Sequence, residues 1–305
     1  MNSHMRNYRL DLYKLIAANC IIAIHCPIIG NRVYLILSSI ARYAVPFFFI
    51  SAGYFACDFA FDQVLKQIKK LFGLTIFIEL IYFAWMFLRI NINQLDMGQY
   101  LTKILSWKNW LLLITVNQTQ IAGHAWFLLA LIYCYIVWLF LRKIIQSTFS
   151  YVFISFGLIA VNLFVEILLP CIDINIPIAY IRNWLFVGLP YFIMGIVIKT
   201  NYEKVKNQWR LYKQAALILF AIANILVVTQ ALTMGSKEIY VGTTLVAAFY
   251  FLNAIECDTI HLPILRYDKM SLNIYLFHPI ILGVIEWFNI KGVRVMYWQY
   301  LFQMH

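Results

Sequence analysis

The chain has 305 residues, of which 63% are hydrophobic and only 12% are charged, and its formal net charge is +11. Soluble domains carry about a quarter charged residues, so this composition excludes a soluble globular protein and indicates an integral membrane protein. The basic residues cluster in short loops between apolar runs. This distribution is typical of membrane proteins, and we expect no nucleic-acid partner.

Nine apolar runs are long enough to cross a lipid bilayer, which takes about 17 to 25 residues in a helix. The runs cover residues 12–29, 35–57, 71–90, 125–141, 151–169, 182–198, 212–232, 239–255 and 271–287. A shorter run at 108–116 is predicted to lie at the interface or to re-enter, and the tail at 292–305 is too short and polar for a tenth span. We therefore predict an all-α, polytopic membrane helix bundle of nine to ten transmembrane helices, in one domain over residues 1–305.

The distribution of lysine and arginine predicts the orientation of the bundle. With the N-terminus in the cytoplasm, fifteen of these residues lie on the inner side and eight on the outer side. In membrane proteins the cytoplasmic loops contain more Lys and Arg than the outer loops, so we predict a cytoplasmic N-terminus. The first run has charges on its N-terminal flank and no small-residue cleavage site, so we expect no cleavable signal peptide. The longest loop, residues 91–124, then faces outward and is a candidate lid or acceptor-binding surface.

The cysteines give no sign of a disulfide framework or a metal site. They are scattered through the apolar runs without paired spacing, at Cys20, Cys26, Cys57, Cys134, Cys171 and Cys257. We interpret them as small hydrophobic residues and expect no bound metal.

The first span carries ionisable residues of a kind that membrane helices rarely tolerate. Arg9, Asp11 and Lys14 lie at its entrance, and His25 lies deep inside it. Lys14 and His25 are eleven residues apart, so they share one helix face with about 16 Å between them. An imidazole can take a proton near neutral pH, and a lysine can hold an anion. The alternative is a histidine that bonds a neighbouring helix only for packing.

Two more charges fall inside the second and third predicted spans. Arg42 needs a carboxylate, carbonyls, water or an anionic ligand at that depth, unless it extends to the outer interface. Glu79 lies near the centre of the third span and must be protonated or paired, with Arg42 or Lys14 as candidate partners. We interpret Glu79 as a proton handler or an orienter of His25, with a purely structural ion pair as the alternative.

Three later segments place further polar residues at or within the membrane. His124 and Trp126 lie where the fourth span meets the outer surface, and a tryptophan there is also a common interfacial anchor. Arg182 begins the sixth span, where a cation opposes the helix dipole, so it is predicted to face an anion or polar acceptor. His278 lies in mid-membrane about one turn from Tyr275, and it is the second intramembrane histidine.

These segments, in this order, resemble the acyltransferase-3 family of multi-span bacterial membrane acyltransferases. The similar features are Lys14 with His25, RYAVPFFFISAGYF (42–55), HAWFLLALI (124–132), RNWLFVGLPYFIMG (182–195) and SLNIYLFHP (271–279). The second and fourth of these resemble most the branch that contains the membrane domain of vancomycin-resistance serine racemases. The resemblance implies an enzyme of a bacterial inner membrane that O- or N-acylates carbohydrates or other extracytoplasmic molecules.

The resemblance also implies a mechanism. Acyl-CoA, most simply acetyl-CoA, would approach the basic cytoplasmic side as donor substrate, with no tightly bound cofactor. Its pantetheine arm would enter beside Lys14, and His25 would act as general base on an acceptor hydroxyl or first accept the acyl group itself. Arg42, Arg182 and His124 would line the outer vestibule where a carbohydrate or cell-envelope acceptor arrives.

Two departures from the family keep other interpretations open. The family usually has arginine where this chain has Lys14. A lysine does not bind a phosphate through two parallel N–H groups as an arginine does, so the resemblance does not imply that mode of binding at position 14. The family typically has ten spans, and nine are predicted here. The alternatives are therefore a module that admits a small amino acid such as L-serine without acylating it, and an inactive relative.

Overall fold

The computed structural model describes residues 7–25, 31–256 and 267–287. Most of these residues are helical and none forms a strand, which confirms the all-α prediction. The helices are α1 (Tyr8–His25), α2 (Asn31–Ala41), α3 (Ala44–Ala56), α4 (Phe61–Ile92), α5 (Met97–Ile104), α6 (Trp107–Val116), α7 (Trp126–Ile144), α8 (Thr148–Leu163), α9 (Leu189–Thr200), α10 (Tyr202–Leu211), α11 (Lys213–Met234), α12 (Thr243–Ile255) and α13 (Tyr267–Trp287). The predicted tail at 292–305 and two of the cysteines, Cys26 and Cys257, lie outside the described residues.

Every predicted span contains or overlaps a helix. Within the described ranges, five helical stretches are long and apolar enough to cross a membrane: Arg32–Ala56, Phe61–Ile92, Gly123–Ile144, Thr148–Ile172 and Lys213–Met234. Trp184–Thr200 together with α10 would make a sixth if they form one broken span. The apolar parts of α12 and α13 are shorter than those of the five stretches. The helix α1 carries three charged residues in its first half. The chain is thus a multi-pass membrane protein. The short run predicted at 108–116 forms a helix of its own, α6.

The chain divides into two compact units. Unit 1 comprises Met1–Ser51 and Asn201–His305, and α1 is its central helix, in contact with α2, α12 and α13. The buried residues of α1 recur at helical spacing, and two of them, Ala17 and Ala18, are fully buried alanines. Small residues let helix backbones approach closely in a membrane protein, which explains why α1 can accommodate several neighbours.

Unit 2 comprises Ala52–Thr200, in which α4 pairs with α7 and α8 pairs with α9. The buried face of α4 recurs every three or four residues through Thr75, Ile78, Tyr82, Met86 and Ile90. Its other face exposes large apolar side chains, among them Phe72, Phe77, Leu80, Phe87 and Leu88. An apolar surface of this extent is typical of a helix that faces lipid. Two π-helical turns, Phe164–Leu168 and Trp184–Gly188, follow α8 and precede α9.

Two glycines mark close helix contacts, one in each unit. A Cβ atom on Gly53 would lie 1.8 Å from the carbonyl oxygen of Phe192 on α9. A Cβ atom on Gly242, at the start of α12, would lie 2.2 Å from the carbonyl oxygen of Ala223 on α11. Neither position has room for any side chain, because the obstacle in each case is backbone.

Candidate functional site

The two intramembrane histidines come together in unit 1. The rings of His25, at the end of α1, and His278, on α13, stack with their centroids 5.4 Å apart and their planes 29° apart. His278 is only 2% exposed, and the ring of Tyr275 lies 6.4 Å away in a tilted arrangement. The first and last predicted motifs of the chain therefore form one site.

The proline after His278 explains how that ring is held. Pro279 lies inside α13 and has no N–H, so the carbonyl of Tyr275, four residues earlier, loses its helical donor. Nδ1 of His278 lies 2.8 Å from this carbonyl oxygen and 3.2 Å from that of Ile274. Only an N–H can donate to a carbonyl, so Nδ1 carries the hydrogen. In the neutral ring, Nε2 is then the atom with the basic lone pair.

Asp11 and Lys14 occupy consecutive turns of α1, before the histidine. Asp11 is 7% exposed and Lys14 is half-buried. Asn7 caps the helix, because its side chain accepts the N–H of Leu10 at 2.9 Å. Lys14 and His25 therefore belong to one uninterrupted helix, eleven residues apart.

Polar contacts between α1 and α12 hold the predicted inner end of unit 1. Arg9 donates to Oδ1 of Asn253 at 3.0 Å, and Nδ2 of Asn253 donates to the hydroxyl of Tyr13 at 2.7 Å. Lys213 pairs with Glu256 at 2.6 Å just after α12. Burial raises the pKa of Glu256, but the hydrogen bond and charge of Lys213 outweigh it and lower the pKa below its usual value. These contacts thus place the cations of Arg9 and Lys213 and the ionised carboxylate of Glu256 at this end of the unit.

Tyrosines continue this polar strip along the middle of α1. The ring of Tyr250 on α12 lies 6.0 Å from that of Tyr13 and stacks on Tyr43 at 4.4 Å. The hydroxyl of Tyr43 lies 3.7 Å from the sulfur of Cys20, on α1. Hydroxyl and thiol groups therefore follow Arg9 toward His25 along one side of α1.

Arg42 lies within the helical stretch Arg32–Ala56, as predicted for the second span, in the short turn between α2 and α3. Pro46 is in the first turn of α3, where its missing N–H leaves no helical hydrogen bond unmade. The guanidinium of Arg42 pairs with Glu238 at 2.9 Å and donates to Ser236 at 3.1 Å. The side chains of this pair are 14% and 11% exposed. The carboxylate that a buried guanidinium needs is thus supplied by the loop between α11 and α12.

The other four predicted site residues lie in unit 2. His124 is 4% exposed, in a short turn of 3₁₀-helix, and its ring lies 4.7 Å from that of Tyr82 on α4. One turn earlier on α4, Oε2 of Glu79 accepts the N–H of Ala122 at 3.4 Å. Glu79 and His124 therefore lie on adjoining parts of one contact between α4 and the chain that leads into α7.

Arg182 begins the sixth predicted span but lies two residues before the first helical turn of that span. The helical turn starts at Trp184, and Asn183 caps it by accepting two backbone N–H groups. The guanidinium of Arg182 lies over the ring of Trp126, 5.7 Å from the centroid. Asn117 holds the surrounding chain in place, because its amide donates to the carbonyl of Trp126 and accepts the N–H of Trp184. Arg182 and Trp126 thus form a cation–π pair.

Several buried or paired polar residues in the described part of the chain are not in the sequence prediction. Glu166 is 6% exposed within a π-helical turn, and the rule that selected Glu79 would have selected it as well. Asn162, which is 1% exposed, donates to carbonyls of the chain before α9. Glu238 and Asn117 lie in loops, where their local sequence carries no signal of a distant partner.

The comparison with protein families covers almost the whole chain. The family model described as an acyltransferase domain, of the acyltransferase-3 type, matches residues 7–303 and so includes both units. No curated protein and no solved structure is significantly similar to the chain. Because the family model matches nearly the whole chain, including the stacked histidines, this chain belongs to the acyltransferase-3 family and is a multi-pass membrane acyltransferase.

Proposed function

We propose that this protein transfers an acyl group, most simply acetyl, from cytoplasmic acyl-CoA to a hydroxyl of an extracytoplasmic carbohydrate or other cell-envelope acceptor. Its location would be the inner membrane of a bacterium. The single observation that carries the proposal is the stacked pair of His25 and His278 within a chain of the acyltransferase-3 family.

The pair is suited to general base catalysis. His25 removes the proton of the acceptor hydroxyl as its oxygen attacks the thioester carbonyl carbon, and the C–O bond forms. The tetrahedral intermediate then collapses with loss of the C–S bond, and the imidazolium returns the proton to the CoA thiolate. The products are an ester and free CoA. Stacking against the fixed ring of His278 would orient His25 for both proton transfers.

The polar strip of unit 1 supports an approach of the donor along α1. Arg9 and Lys14 would attract the CoA phosphates at the predicted cytoplasmic end. The hydroxyls of Tyr13 and Tyr43 would offer hydrogen bonds to the amides of the pantetheine arm, which lead toward His25. Lys14 would act here as a point charge rather than a bidentate partner.

The polar residues near the predicted outer ends of the helices are candidates for binding the acceptor. In unit 2 these are His124, Trp126 and Arg182, and in unit 1 Arg42 beside Glu238. Arg42 and Arg182 each contact a side chain of their own unit, so we assign each of them to shaping the polar surface around it rather than to direct contact with the acceptor.

The test is transfer from radiolabelled acetyl-CoA by purified protein in the presence of membrane extracts that contain candidate acceptors. His25→Ala should reduce transfer by about 10²- to 10⁴-fold, the usual contribution of a general base, and should leave expression unchanged. Asn19→Ala is the matched control, because Asn19 is exposed on α1 and its amide donates to the carbonyl of Leu15 in the same helix. A well-folded His25→Ala protein that keeps more than a tenth of the activity would remove His25 from this role.

Calorimetry separates the enzyme from an amino-acid module. Acyl-CoA should bind the wild type and Arg182→Ala equally, because Arg182 shapes a surface assigned to the acceptor. In a module that admits L-serine, Arg182→Ala would instead abolish serine uptake into proteoliposomes, and acyl-CoA would bind neither protein. That second pattern, in folded protein, would overturn the proposed function.

A further inference from the structure

The chain between α4 and α7 carries two short helices, α5 and α6, and neither contains a buried residue. The large exposed apolar side chains of α6 are Trp107, Trp110, Leu111 and Ile114, which we call the α6 face. Their spacing places them on one side of the helix. Trp107 is 70% exposed and Ile114 is 63% exposed. An exposed apolar surface of this kind marks a contact with a membrane or with another protein.

The last turn of α6 is suited to surroundings without water. The last carbonyl groups of a helix have no helical donor, and at an end that lies in water they are hydrated. The carbonyl of Ile114 accepts the hydroxyl of Tyr133, on α7, at 2.8 Å. The carbonyl of Thr115 accepts the indole N–H of Trp184 at 3.0 Å, and its exposed hydroxyl donates to Leu111 at 2.7 Å. Groups of the protein thus provide the hydrogen bonds that hydrocarbon could not.

The first turn of α6 is polar and carries a cation. Ser106 caps the helix by accepting the N–H of Asn109 at 3.4 Å, and Lys108 is exposed next to Trp107 in the sequence. Lysine and tryptophan are typical of the headgroup level of a bilayer, where the amino group reaches phosphate and the indole lies at the edge of the hydrocarbon. No aspartate or glutamate occurs in residues 97–165. A phosphate at Lys108 therefore meets no carboxylate from this part of the chain.

The α6 face follows a surface of α4 that is typical of lipid contact. On α4 this surface includes Phe87 and Leu88, and Ile92 at the end of the helix is 51% exposed. Residues 91–96, which lead to α5, are all exposed, and α5 contacts α4. A partner protein would account for the apolar side chains of the α6 face, but it would leave the lysine and tryptophan at the start of α6 without a role. These observations therefore favour lipid as the occupant.

We infer that α6 is embedded in the half of the bilayer at the predicted outer end of α4. Phospholipid acyl chains cover the α6 face, and a headgroup phosphate lies at Lys108. The end of α6 then holds the chain before α9 in place, because Thr115 and Asn117 both accept hydrogen bonds from Trp184, two residues after Arg182. Lipid contact thus keeps this part of the loop fixed, and it does not open as a lid.

The depth of α6 is measured on the full chain, with one copy in each nanodisc of phosphatidylethanolamine and phosphatidylglycerol. p-Acetylphenylalanine replaces one residue at a time and carries a nitroxide through a ketoxime bond, so the native cysteines are left unchanged. Collisions of the nitroxide with oxygen, which is concentrated in hydrocarbon, and with a water-soluble nickel chelate are measured by EPR power saturation.

Labels at Leu111 and Ile114 should match a label at Phe87 on α4, with frequent oxygen collisions and rare nickel collisions. A label at Gln94, which is exposed in the same loop, is the matched control and should show the reverse. A label at Lys108 should lie closer to the headgroups than one at Ile114, by up to about 9 Å, the rise of six helical residues. All five side chains are exposed, so the labels leave the packing of unit 2 intact.

Each other pattern of collisions would overturn the inference. Frequent nickel collisions at Leu111 and Ile114 would place the α6 face in water. Rare collisions with both reagents would show that protein covers it. A label at Lys108 as deep as one at Ile114 would remove the headgroup from the start of α6. No acyl donor or acceptor is present in this experiment, so the failure of the proposed function would leave the result unchanged.

Discussion

The hydrogen bond from His278 to the carbonyl of Tyr275 should stabilise α13 because Pro279 has removed the normal donor. The perturbation is a double-mutant cycle of His278→Ala and Pro279→Ala. Removing the imidazole leaves a carbonyl unpaired where the side chain was 2% exposed, whereas Pro279→Ala restores a backbone N–H for the same carbonyl. His278→Ala should therefore be destabilising in the wild-type background and less so when Pro279 is absent.

The magnitude follows from the geometry. The Nδ1 to oxygen distance of 2.8 Å is that of a well-formed bond, and leaving a buried partner unpaired costs about 1–3 kcal/mol in general. Side-chain hydrogen bonds in membrane proteins average about 0.6 kcal/mol in such cycles, with a maximum of about 1.7 kcal/mol. We expect a coupling free energy of about 0.5–1.5 kcal/mol, measured by reversible unfolding in SDS with mixed lipid–detergent micelles.

A coupling no larger than about 0.3 kcal/mol, the scatter expected for independent sites, would refute this reasoning. His278→Asn separates structure from catalysis. An asparagine can reach the carbonyl three residues earlier, as Asn183 does with that of Tyr180 at 2.9 Å. This variant should keep most of the stability of the wild type and still lose acyl transfer, because it has no imidazole.

Three further predictions concern packing, the donor and topology. Gly53→Ala should be strongly destabilising, because its Cβ would overlap the backbone of α9, whereas Gly157→Ala, with open space around it, should be neutral or stabilising by about 0.5–1 kcal/mol in the same unfolding assay. Lys14→Met should raise the KM for acyl-CoA more than it lowers kcat, since it removes ground-state binding, and an unchanged KM would move the donor site elsewhere. In intact spheroplasts, a cysteine at Gln94 should react with membrane-impermeant thiol reagents and one at Lys69 should not, and the reverse pattern would invert the predicted orientation.

Much of the fold could be predicted because a bilayer imposes strong local constraints. Every backbone polar group must be satisfied within a span, so long apolar runs in this chain form helices, and each predicted run overlaps one. The same cost makes an intramembrane charge conspicuous, which is why His25, Glu79 and His278 could be selected from sequence. Helix boundaries were less accurate. Arg42 lies in a short turn within the helical stretch Arg32–Ala56, just before α3 begins at Ala44, and a hydropathy pattern does not register such a local break.

The sequence by itself determined that this is an all-α membrane protein, where its helices lie and, through its motifs, which family it resembles. Only the tertiary structure decided which polar groups meet: His25 with His278, Arg42 with Glu238, and Glu79 with the loop before α7. The physical reason is that periodicity reports positions along one helix, whereas the choice of neighbour depends on how helix surfaces fit. In this chain that fit is set by small buried residues such as Ala17 and Ala18, and their presence in one helix does not specify which other helix packs against them.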